Sequence, residues 1–327
     1  MPNAERGTDP RHFTLEDFHS ADAAMNRCLD LARVAARTDL PVLILGESGT
    51  GKTLLASAIH ASSGRSDAAF VSFNAAALSD TLMDSQLFGH EKGAFTGAAS
   101  RVKGKFEAAD GGTLFFDEIA DMSLTAQAKI LRAVEYGEFE RLGSEKLLHA
   151  DVRLISATHL PLAAFSETAR FRRDLFFRLS GITITLPPLR ERPEDLPSLV
   201  AAQIELAARQ QRRTITGLAR DAADLIFSYG WPGNLRELDR VIRAAVSLTP
   251  GDVIPVEAIL VDREAVSAST APLVRRAGAA PGEEDLTLDA ASLRHIRTVI
   301  ERTGGNKRQA ARLLGVSRST LDRKLRP

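Results

Sequence analysis

The chain has 327 residues, of which 44% are hydrophobic and 26% are charged. These values are ordinary for a soluble globular protein of two or three domains. No apolar run reaches the ~18 residues that cross a bilayer, and the N-terminus lacks the apolar stretch of a signal peptide. The single cysteine, Cys28, excludes an intrachain disulfide and favours a reducing compartment. We therefore expect a cytoplasmic protein that does not enter the membrane.

The charges are unevenly distributed along the chain, although they sum to zero. Residues 286–327 hold ten Lys or Arg and three Asp or Glu, a net charge of +7, so residues 1–285 carry −7. A basic C-terminal module on an acidic body suggests a polyanionic partner for that module alone. A solvated charged surface has the same composition, and charge by itself favours neither interpretation.

Short apolar runs alternate with amphipathic stretches over residues 12–188. This alternation predicts an α/β core, a mainly parallel sheet with flanking helices. The predicted strands are residues 41–45, 70–73, 114–116, 152–157 and 182–186.

Beyond residue 188 the strand pattern stops, and the sequence predicts an all-α lid. Asn234 and Glu237 resemble a capping box at the start of one of its helices. Residues 263–286 are rich in Ala, Pro and Gly without periodicity, which is typical of a linker. The predicted lid helices are residues 193–211, 218–229, 234–248 and 255–260. The predicted organisation is a tail (1–11), the α/β core (12–188), the lid (189–262), the linker (263–286) and a small helical module (287–327).

A phosphate-binding motif, G-x-x-x-x-G-K-[ST], directly follows the first predicted strand and opens a helix. Its glycines let backbone N–H groups surround phosphate oxygens at a helix N-terminus. Lys52 is expected to reach the β- and γ-phosphates of ATP, and the Thr53 hydroxyl is expected to bind Mg²⁺. The motif consists of Gly46, Glu47, Ser48, Gly49, Thr50, Gly51, Lys52 and Thr53.

A second apolar strand ends in two adjacent carboxylates, Asp117 and Glu118. The carboxyl edge of a parallel sheet is where such folds bind ligands. Asp117 is expected to hold the metal, and Glu118 is expected to orient and polarise the attacking water. Adjacent carboxylates elsewhere are more often a solvated strand end. Behind an intact phosphate loop they indicate a hydrolase.

Between these two motifs lies a short insertion that folding alone does not require. Glycines at both ends free its backbone, and its small residues leave Phe95 and Thr96 as the side chains with reach. The insertion is either a surface turn or a mobile element that grips a partner. It consists of Gly93, Ala94, Phe95, Thr96, Gly97 and Ala98.

With these parts the chain resembles the AAA+ ATPases, and specifically the bacterial sigma-54-dependent transcription activators. The sequence LFGHEKGAFTGA (residues 87–98) is nearly diagnostic of that family. The resemblance implies ATP and Mg²⁺ as ligands, a hexameric or heptameric ring, and sigma-54 RNA polymerase as the partner. In the family this loop contacts sigma-54 and couples ATP hydrolysis to promoter opening, so Phe95 and Thr96 are expected to make the contact.

The same resemblance assigns further residues, one at a time. Asn74 matches the asparagine that restrains the catalytic glutamate, here Glu118. Arg172 and Arg178 match the arginine fingers that reach a neighbouring subunit's nucleotide. On one straight helix these two arginines would lie about 120° apart, which suggests separate tasks. Arg236 matches the sensor arginine of the lid.

Two residues depart from the family pattern. Thr53 stands where the family usually has Glu after the lysine, and it should still bind metal. His159 replaces a sensor asparagine. A neutral imidazole can donate and accept hydrogen bonds, but unlike an amide it titrates near neutral pH. The sequence therefore predicts a pH dependence of hydrolysis that His159→Asn would remove, or a His159 that merely caps the strand end.

The C-terminal 40 residues read as helices on either side of the turn Gly315-Val316, a helix-turn-helix. An apolar stripe in residues 292–303 would suffice for packing or dimerisation. The segment resembles the Fis-type DNA-binding domain, and a protein docking unit is the alternative. By that resemblance the residues expected to meet double-stranded enhancer DNA are Lys307, Arg308, Ser317, Arg318, Ser319, Thr320, Arg323 and Lys324.

Two other functions are compatible with parts of this pattern. One is an AAA+ machine that remodels a different protein, and the complete loop hexapeptide argues against it. The other is a non-enzymatic regulator of the TyrR type, which the intact catalytic acid disfavours. With only about 11 residues before the core, a sensory domain has no room there. We therefore expect control by a regulatory protein in trans or by expression level, or else a shortened chain.

Overall fold

The computed structural model describes residues 13–76, 79–162, 164 and 170–261. The chain divides into two compact units, residues 1–270 and 271–327, and the second lies outside the described residues. In chain order the described strands are β1 (Val42–Leu45), β2 (Phe70–Asn74), β3 (Gly89–His90), β4 (Val102–Lys103), β5 (Thr113–Asp117), β6 (Glu138–Glu140), β7 (Leu147–His149), β8 (Arg153–Thr158), β9 (Ile182–Thr185), β10 (Gly217–Leu218) and β11 (Val253–Ile254).

The helices in the same part of the chain begin and end with recognisable signals. The Asp22 side chain accepts a hydrogen bond from the Met25 N–H, and Gly137 ends a later helix in the left-handed conformation. The helices are α1 (Ala23–Ala36), α2 (Lys52–Ala61), α3 (Asp80–Phe88), α4 (Lys105–Ala108), α5 (Leu124–Tyr136), α6 (Arg173–Leu179), α7 (Leu196–Gln211), α8 (Arg220–Ser228) and α9 (Asn234–Leu248).

A five-stranded parallel sheet forms the centre of the α/β core, with the strand order β2-β5-β8-β1-β9. The α/β fold predicted from the alternation is confirmed, and each of the five predicted strands lies within one residue of its observed bounds. The central strands β5, β8 and β1 are buried almost throughout, without alternation, because helices cover both faces of the sheet. All five strands point the same way, so the loops after β1, β5 and β8 meet at one edge.

Two antiparallel pairs project from this core. The strands β3 and β4 pair antiparallel on either side of the glycine-bracketed loop. The strands β6 and β7 form a second hairpin after α5. Periodicity did not reveal these strands because each contains only two or three residues.

The lid is built on α7, α8 and α9 around a core that contains the buried Trp231. The Trp231 indole N–H donates to the Ile226 carbonyl at 3.0 Å. Besides the predicted helices, the lid has a short parallel pair, β10 with β11. The last predicted helix is a 3-10 turn, Val256–Ala258, that begins after Pro255.

Candidate functional site

The phosphate loop connects β1 to α2, as the motif requires. The Lys52 ammonium is buried, with 6% of the residue exposed. Its Nζ donates to the Gly46 carbonyl at 2.8 Å and the Glu47 carbonyl at 3.2 Å, and lies 3.7 Å from Glu118 Oε1. This cation therefore lies in the loop at the point where phosphate oxygens would compete for it.

The acidic pair lies at the end of β5. Burial, with the negative charge of Glu118, raises the pKa of Asp117 above its ordinary value. Burial would also raise the pKa of Glu118, but hydrogen bonds from His159 and the charge of Lys52 outweigh it and lower that pKa. The two neighbours are thus tuned in opposite directions. Glu118 is held ionised, as a base must be, and Asp117 would gain from a nearby cation.

His159 holds the Glu118 carboxylate directly. The strand β8 lies between β1 and β5, so its end brings His159 to the acidic pair. The His159 ring Nδ1 lies 2.7 Å from Glu118 Oε2, and its backbone N–H donates to the same oxygen at 3.2 Å. Asn74 pairs with Asp117 across neighbouring strands, and its side-chain oxygen accepts from the Ala76 N–H at 2.8 Å.

Removing the imidazole should move the acidic limb of the pH–rate profile. In His159→Ala, burial acts on Glu118 without the opposing hydrogen bond, so the pKa of this base rises and activity falls off at a higher pH. The measurement is kcat for ATP hydrolysis against pH. His159→Asn is the matched control: an amide does not titrate but can still donate to Glu118, so this variant should keep the acidic limb that the pKa of Glu118 sets. Identical acidic limbs in the native protein and His159→Ala would contradict this prediction.

The donor chemistry at this edge of the sheet fits Mg²⁺ held together with nucleotide. Thr53 is exposed at the start of α2, and the hydroxyl of Thr53 and carboxylate of Asp117 are the oxygen ligands that Mg²⁺ accepts. Among the described residues no group of three or more His, Cys, Asp or Glu could hold a metal. Phosphate oxygens and water would complete the coordination.

A cavity of about 300 Å³ opens beside the phosphate loop, between the start of the described chain, α1 and the lid. Its lining is largely apolar, which suits the flat ring of a base. The lining residues that carry this argument are Phe13, Phe18, Met25, Leu54, Leu186 and Leu199.

Several lid residues reach the phosphate loop, among them Arg236 and Asn234. The Arg236 guanidinium donates to the Ser48 hydroxyl at 2.8 Å, the position expected of a sensor arginine. Asn234 does not cap its helix as the sequence predicted. Gly233 is the N-cap, its N–H donates to Glu237, and the Asn234 amide bonds to Glu47 and Ser48 instead. Sequence spacing gave no sign of this bond because its partners are far apart in the chain.

The loop between β3 and β4 is closed by its own backbone. The Gly93 N–H donates to the Ala98 carbonyl at 2.9 Å. The Phe95 ring packs edge-on against His90, with centroids 5.0 Å apart, and is half-buried. Thr96 is exposed at the tip. Of the two side chains expected to reach a partner, only Thr96 is free in this conformation.

A buried arginine that the motifs did not reveal ties the loop to the core. Arg141, 6% exposed, donates to Glu91 at 2.9 Å and to both oxygens of Glu107 at 2.6 and 2.8 Å. The hydrogen bond from Arg141 lowers the pKa of Glu107. Glu91 precedes the loop and Glu107 lies in α4, so one guanidinium links the loop base to the core.

The two candidate arginine fingers have different surroundings. Arg172 precedes α6 in an extended conformation, so the two arginines do not lie on one straight helix and the 120° expectation does not apply. The Arg172 guanidinium pairs with Asp174 at 2.7 Å, and its backbone N–H donates to the buried Gln127. Arg178 donates to the Val134 carbonyl at 3.2 Å.

The predicted DNA contacts, Lys307 to Lys324, lie outside the described residues. No helix in the described ranges is sufficiently long and apolar to cross a membrane.

Known families match the chain in three consecutive segments. The Sigma-54 interaction domain matches residues 18–185, the AAA+ ATPase lid domain residues 190–272, and the Fis family of bacterial regulatory proteins residues 287–326. Each motif of the candidate site falls within the first two segments.

Several curated proteins are similar over nearly the whole chain. Transcriptional regulatory protein ZraR of Klebsiella oxytoca is 46% identical over 303 residues, which is 92% of this chain and 67% of the relative. ZraR of Escherichia coli K12 is 44% identical, with 92% and 66% covered. The Nif-specific regulatory protein of Klebsiella oxytoca is 42% identical, with 97% and 60% covered. The chain therefore spans about two thirds of the length of these relatives.

Among solved structures, NtrX from Brucella abortus in complex with ATP is similar to this chain. The TM-score is 0.68 at 33% identity, and the match covers 96% of this chain and 69% of NtrX.

Proposed function

Because the chain belongs to the family of sigma-54-dependent transcription activators, we propose that it is a ring-forming ATPase that remodels sigma-54 RNA polymerase from the closed to the open promoter complex. The observation that carries this proposal is the junction of three parts. Lys52 of the phosphate loop lies 3.7 Å from Glu118, the proposed general base, and a closed loop with an exposed Thr96 lies in the chain between them. The phosphate loop and Glu118 would hydrolyse ATP, and the loop that carries Thr96 would act on sigma-54.

In the proposed hydrolysis each residue acts on atoms within reach of the phosphate loop. Lys52 would exchange its backbone carbonyl partners for phosphate oxygens, and Thr53 and Asp117 would hold Mg²⁺, which neutralises charge on the phosphates. Glu118, held ionised, would orient water and accept its proton. Arg236 would report the γ-phosphate to the lid.

A subunit boundary at α5 and α6 would complete the site. These two helices pack against each other. Tyr136 at the end of α5 is 64% exposed, and Phe177, beside Arg178, is 62% exposed. Exposed aromatic rings next to cations are typical of a surface that a partner covers. We propose that a second copy covers it in a hexameric or heptameric ring and receives Arg172 and Arg178.

The remaining partners follow from the family. Residues 287–327 would bind double-stranded enhancer DNA through the basic residues named above and would dimerise, as many such modules do. A regulatory protein could act in trans. Arg141 would pass movements of the core to the loop through Glu91.

Thr96→Ala should abolish open-complex formation while leaving ATP hydrolysis near the native rate. Thr96 is exposed at the tip of the loop and is not one of the residues proposed to bind or hydrolyse ATP, so its loss should affect only the contact with sigma-54. The assay is open-complex formation in vitro with sigma-54 polymerase, run beside an ATPase assay. Ser100→Ala, another exposed hydroxyl at the end of the loop, should retain both activities. Hydrolysis without any open complex in the native protein would indicate another target.

A further inference from the structure

Four consecutive residues of the phosphate loop are bonded to the lid. Glu47 accepts hydrogen bonds from Arg190 and Asn234, and Ser48 accepts from Asn234 and Arg236. The Gly49 carbonyl accepts from the Leu235 N–H at 3.0 Å, and the Thr50 carbonyl accepts from Arg192 at 3.4 Å. These contacts join residues about 140 to 190 positions apart. The arrangement is a joint between the two parts of the ATPase, built on the loop that is expected to hold phosphate.

Glu47 carries a negative charge, so it is not suited to bind phosphate itself. A carboxylate in this loop would repel the negative charge of a nucleotide. In the structure both Glu47 oxygens instead accept from the Arg190 guanidinium, at 2.6 and 2.7 Å. That hydrogen bonding lowers the pKa of Glu47, so the carboxylate stays ionised. A two-pronged pair of this kind fixes orientation as well as distance.

Asn234 completes the joint from the lid side. It is fully buried, and its backbone has φ of 52°, a left-handed conformation that Asn tolerates better than most residues. Its amide nitrogen donates to Glu47 Oε2 at 3.2 Å and to the Ser48 carbonyl at 3.0 Å. Its amide oxygen accepts from the Leu189 N–H at 2.7 Å. One side chain thus bonds the phosphate loop to the first residue of the lid, Leu189.

The close approach of the two backbones needs glycine at position 49. A Cβ built on Gly49 would lie 2.3 Å from the Gly233 carbonyl oxygen of the lid, and the φ of Gly49 is +80°. The lid therefore rests directly on the loop's backbone. This close contact would hold Arg236, two residues beyond Asn234, in a position facing the bound phosphates.

We propose that Glu47 and Asn234 are positioning residues that join the lid to the phosphate loop through Arg190, and so place Arg236 for nucleotide sensing. Glu47 would then strengthen ATP binding through the lid, although its charge opposes the phosphates. The inference rests on the proposed function because it assigns these residues to the same nucleotide site.

The test compares Glu47→Gln with the native protein. If the joint operates, Glu47→Gln should weaken binding of a non-hydrolysable ATP analogue by about tenfold, the loss expected of one charge-assisted hydrogen-bond pair. Charge repulsion alone predicts the opposite sign, since removing a negative charge would tighten binding. Arg190→Met should weaken binding similarly, and the double variant should lose little more than either single variant. Tighter binding in Glu47→Gln, or additive losses in the double variant, would overturn the proposal.

A second measurement needs no nucleotide. When the lid is bonded to the phosphate loop, the Leu189 N–H donates to the Asn234 side chain and the Leu235 N–H donates to the Gly49 carbonyl. Glu47→Gln and Asn234→Asp should therefore speed hydrogen exchange at these two amides. The Leu186 amide, bonded to Leu45 in the sheet, should be unchanged and reports that the variants are folded. Glu205→Gln, which breaks the Arg209 pair on the lid surface, is the matched control. Unchanged exchange at both amides would refute the joint. A native chain that bound no nucleotide would refute the proposed function instead, and the exchange data would decide the joint independently.

Discussion

Replacing Glu118 with Gln should slow ATP hydrolysis by about 10²- to 10⁴-fold, the contribution of a positioned general base. The amide side chain introduced by this change has nearly the same shape as the carboxylate. It could still accept from the His159 backbone, so nucleotide binding should survive. The defect should therefore appear in kcat and leave the affinity for ATP largely intact. Steady-state ATPase rates and direct binding of ATP measure the two separately.

The control for this change lies within the same short turn. Asp121 is an exposed acid in the 3-10 segment that follows Glu118. Asp121→Asn removes the same charge without touching Lys52 or His159, and it should leave kcat unchanged. A Glu118→Gln protein with the native rate of hydrolysis would remove Glu118 from the mechanism and leave the base unassigned.

Arg172→Ala should lower hydrolysis by about 10³-fold or more, since an arginine placed on the transferring phosphoryl group contributes about 10³ to 10⁵ in rate. In the described chain Arg172 pairs with Asp174 on the surface, where such pairs contribute at most about 1 kcal/mol. Leaving Asp174 for a neighbour's nucleotide is therefore a small cost. The measurement is the ATPase rate at a concentration that assembles the ring.

Subunit mixing distinguishes an arginine that acts on a neighbouring subunit's nucleotide from one that acts on the nucleotide of its own subunit. Arg172→Ala subunits retain Glu118, and Glu118→Gln subunits retain Arg172, so mixed rings contain some complete sites. Activity should rise above that of either variant alone. Arg209→Ala is the control, because Arg209 pairs with Glu205 on the lid surface, outside the proposed boundary at α5 and α6, and should not contribute to hydrolysis. Mixed rings as inactive as their parents would contradict action in trans.

The parallel sheet could be predicted from the sequence because its central strands are buried on both faces. Residues 42–45 are Val-Leu-Ile-Leu, and β5 ends at Asp117, directly after its apolar run stops at Phe116. The short strands β3, β4, β10 and β11 could not be found in this way. Their two residues each carry too little pattern, and they are set by pairing with distant partners.

The chemistry of the site was also evident in the local sequence. The phosphate motif and the Asp-Glu pair each lie within a few consecutive residues, so their spacing identified them, whereas the role of the loop hexapeptide came from the resemblance to a family. The positions of His159 and Arg172 depended on more. His159 meets Glu118 because β8 lies between β1 and β5 in the sheet, and Arg172 lies outside α6 because Gln127 of another helix holds its backbone.

The sequence by itself determined which groups this protein can bring to a phosphate: a glycine loop, a lysine, a hydroxyl and two carboxylates at strand ends. Only the tertiary structure decided how those groups are held. It turned Asn234 from an expected helix cap into a bond between lid and loop, and Glu47 from a loop residue into the partner of Arg190. The physical reason is that hydrogen bonds across 143 to 187 positions of chain depend on where folded elements come to lie, which short-range periodicity does not encode.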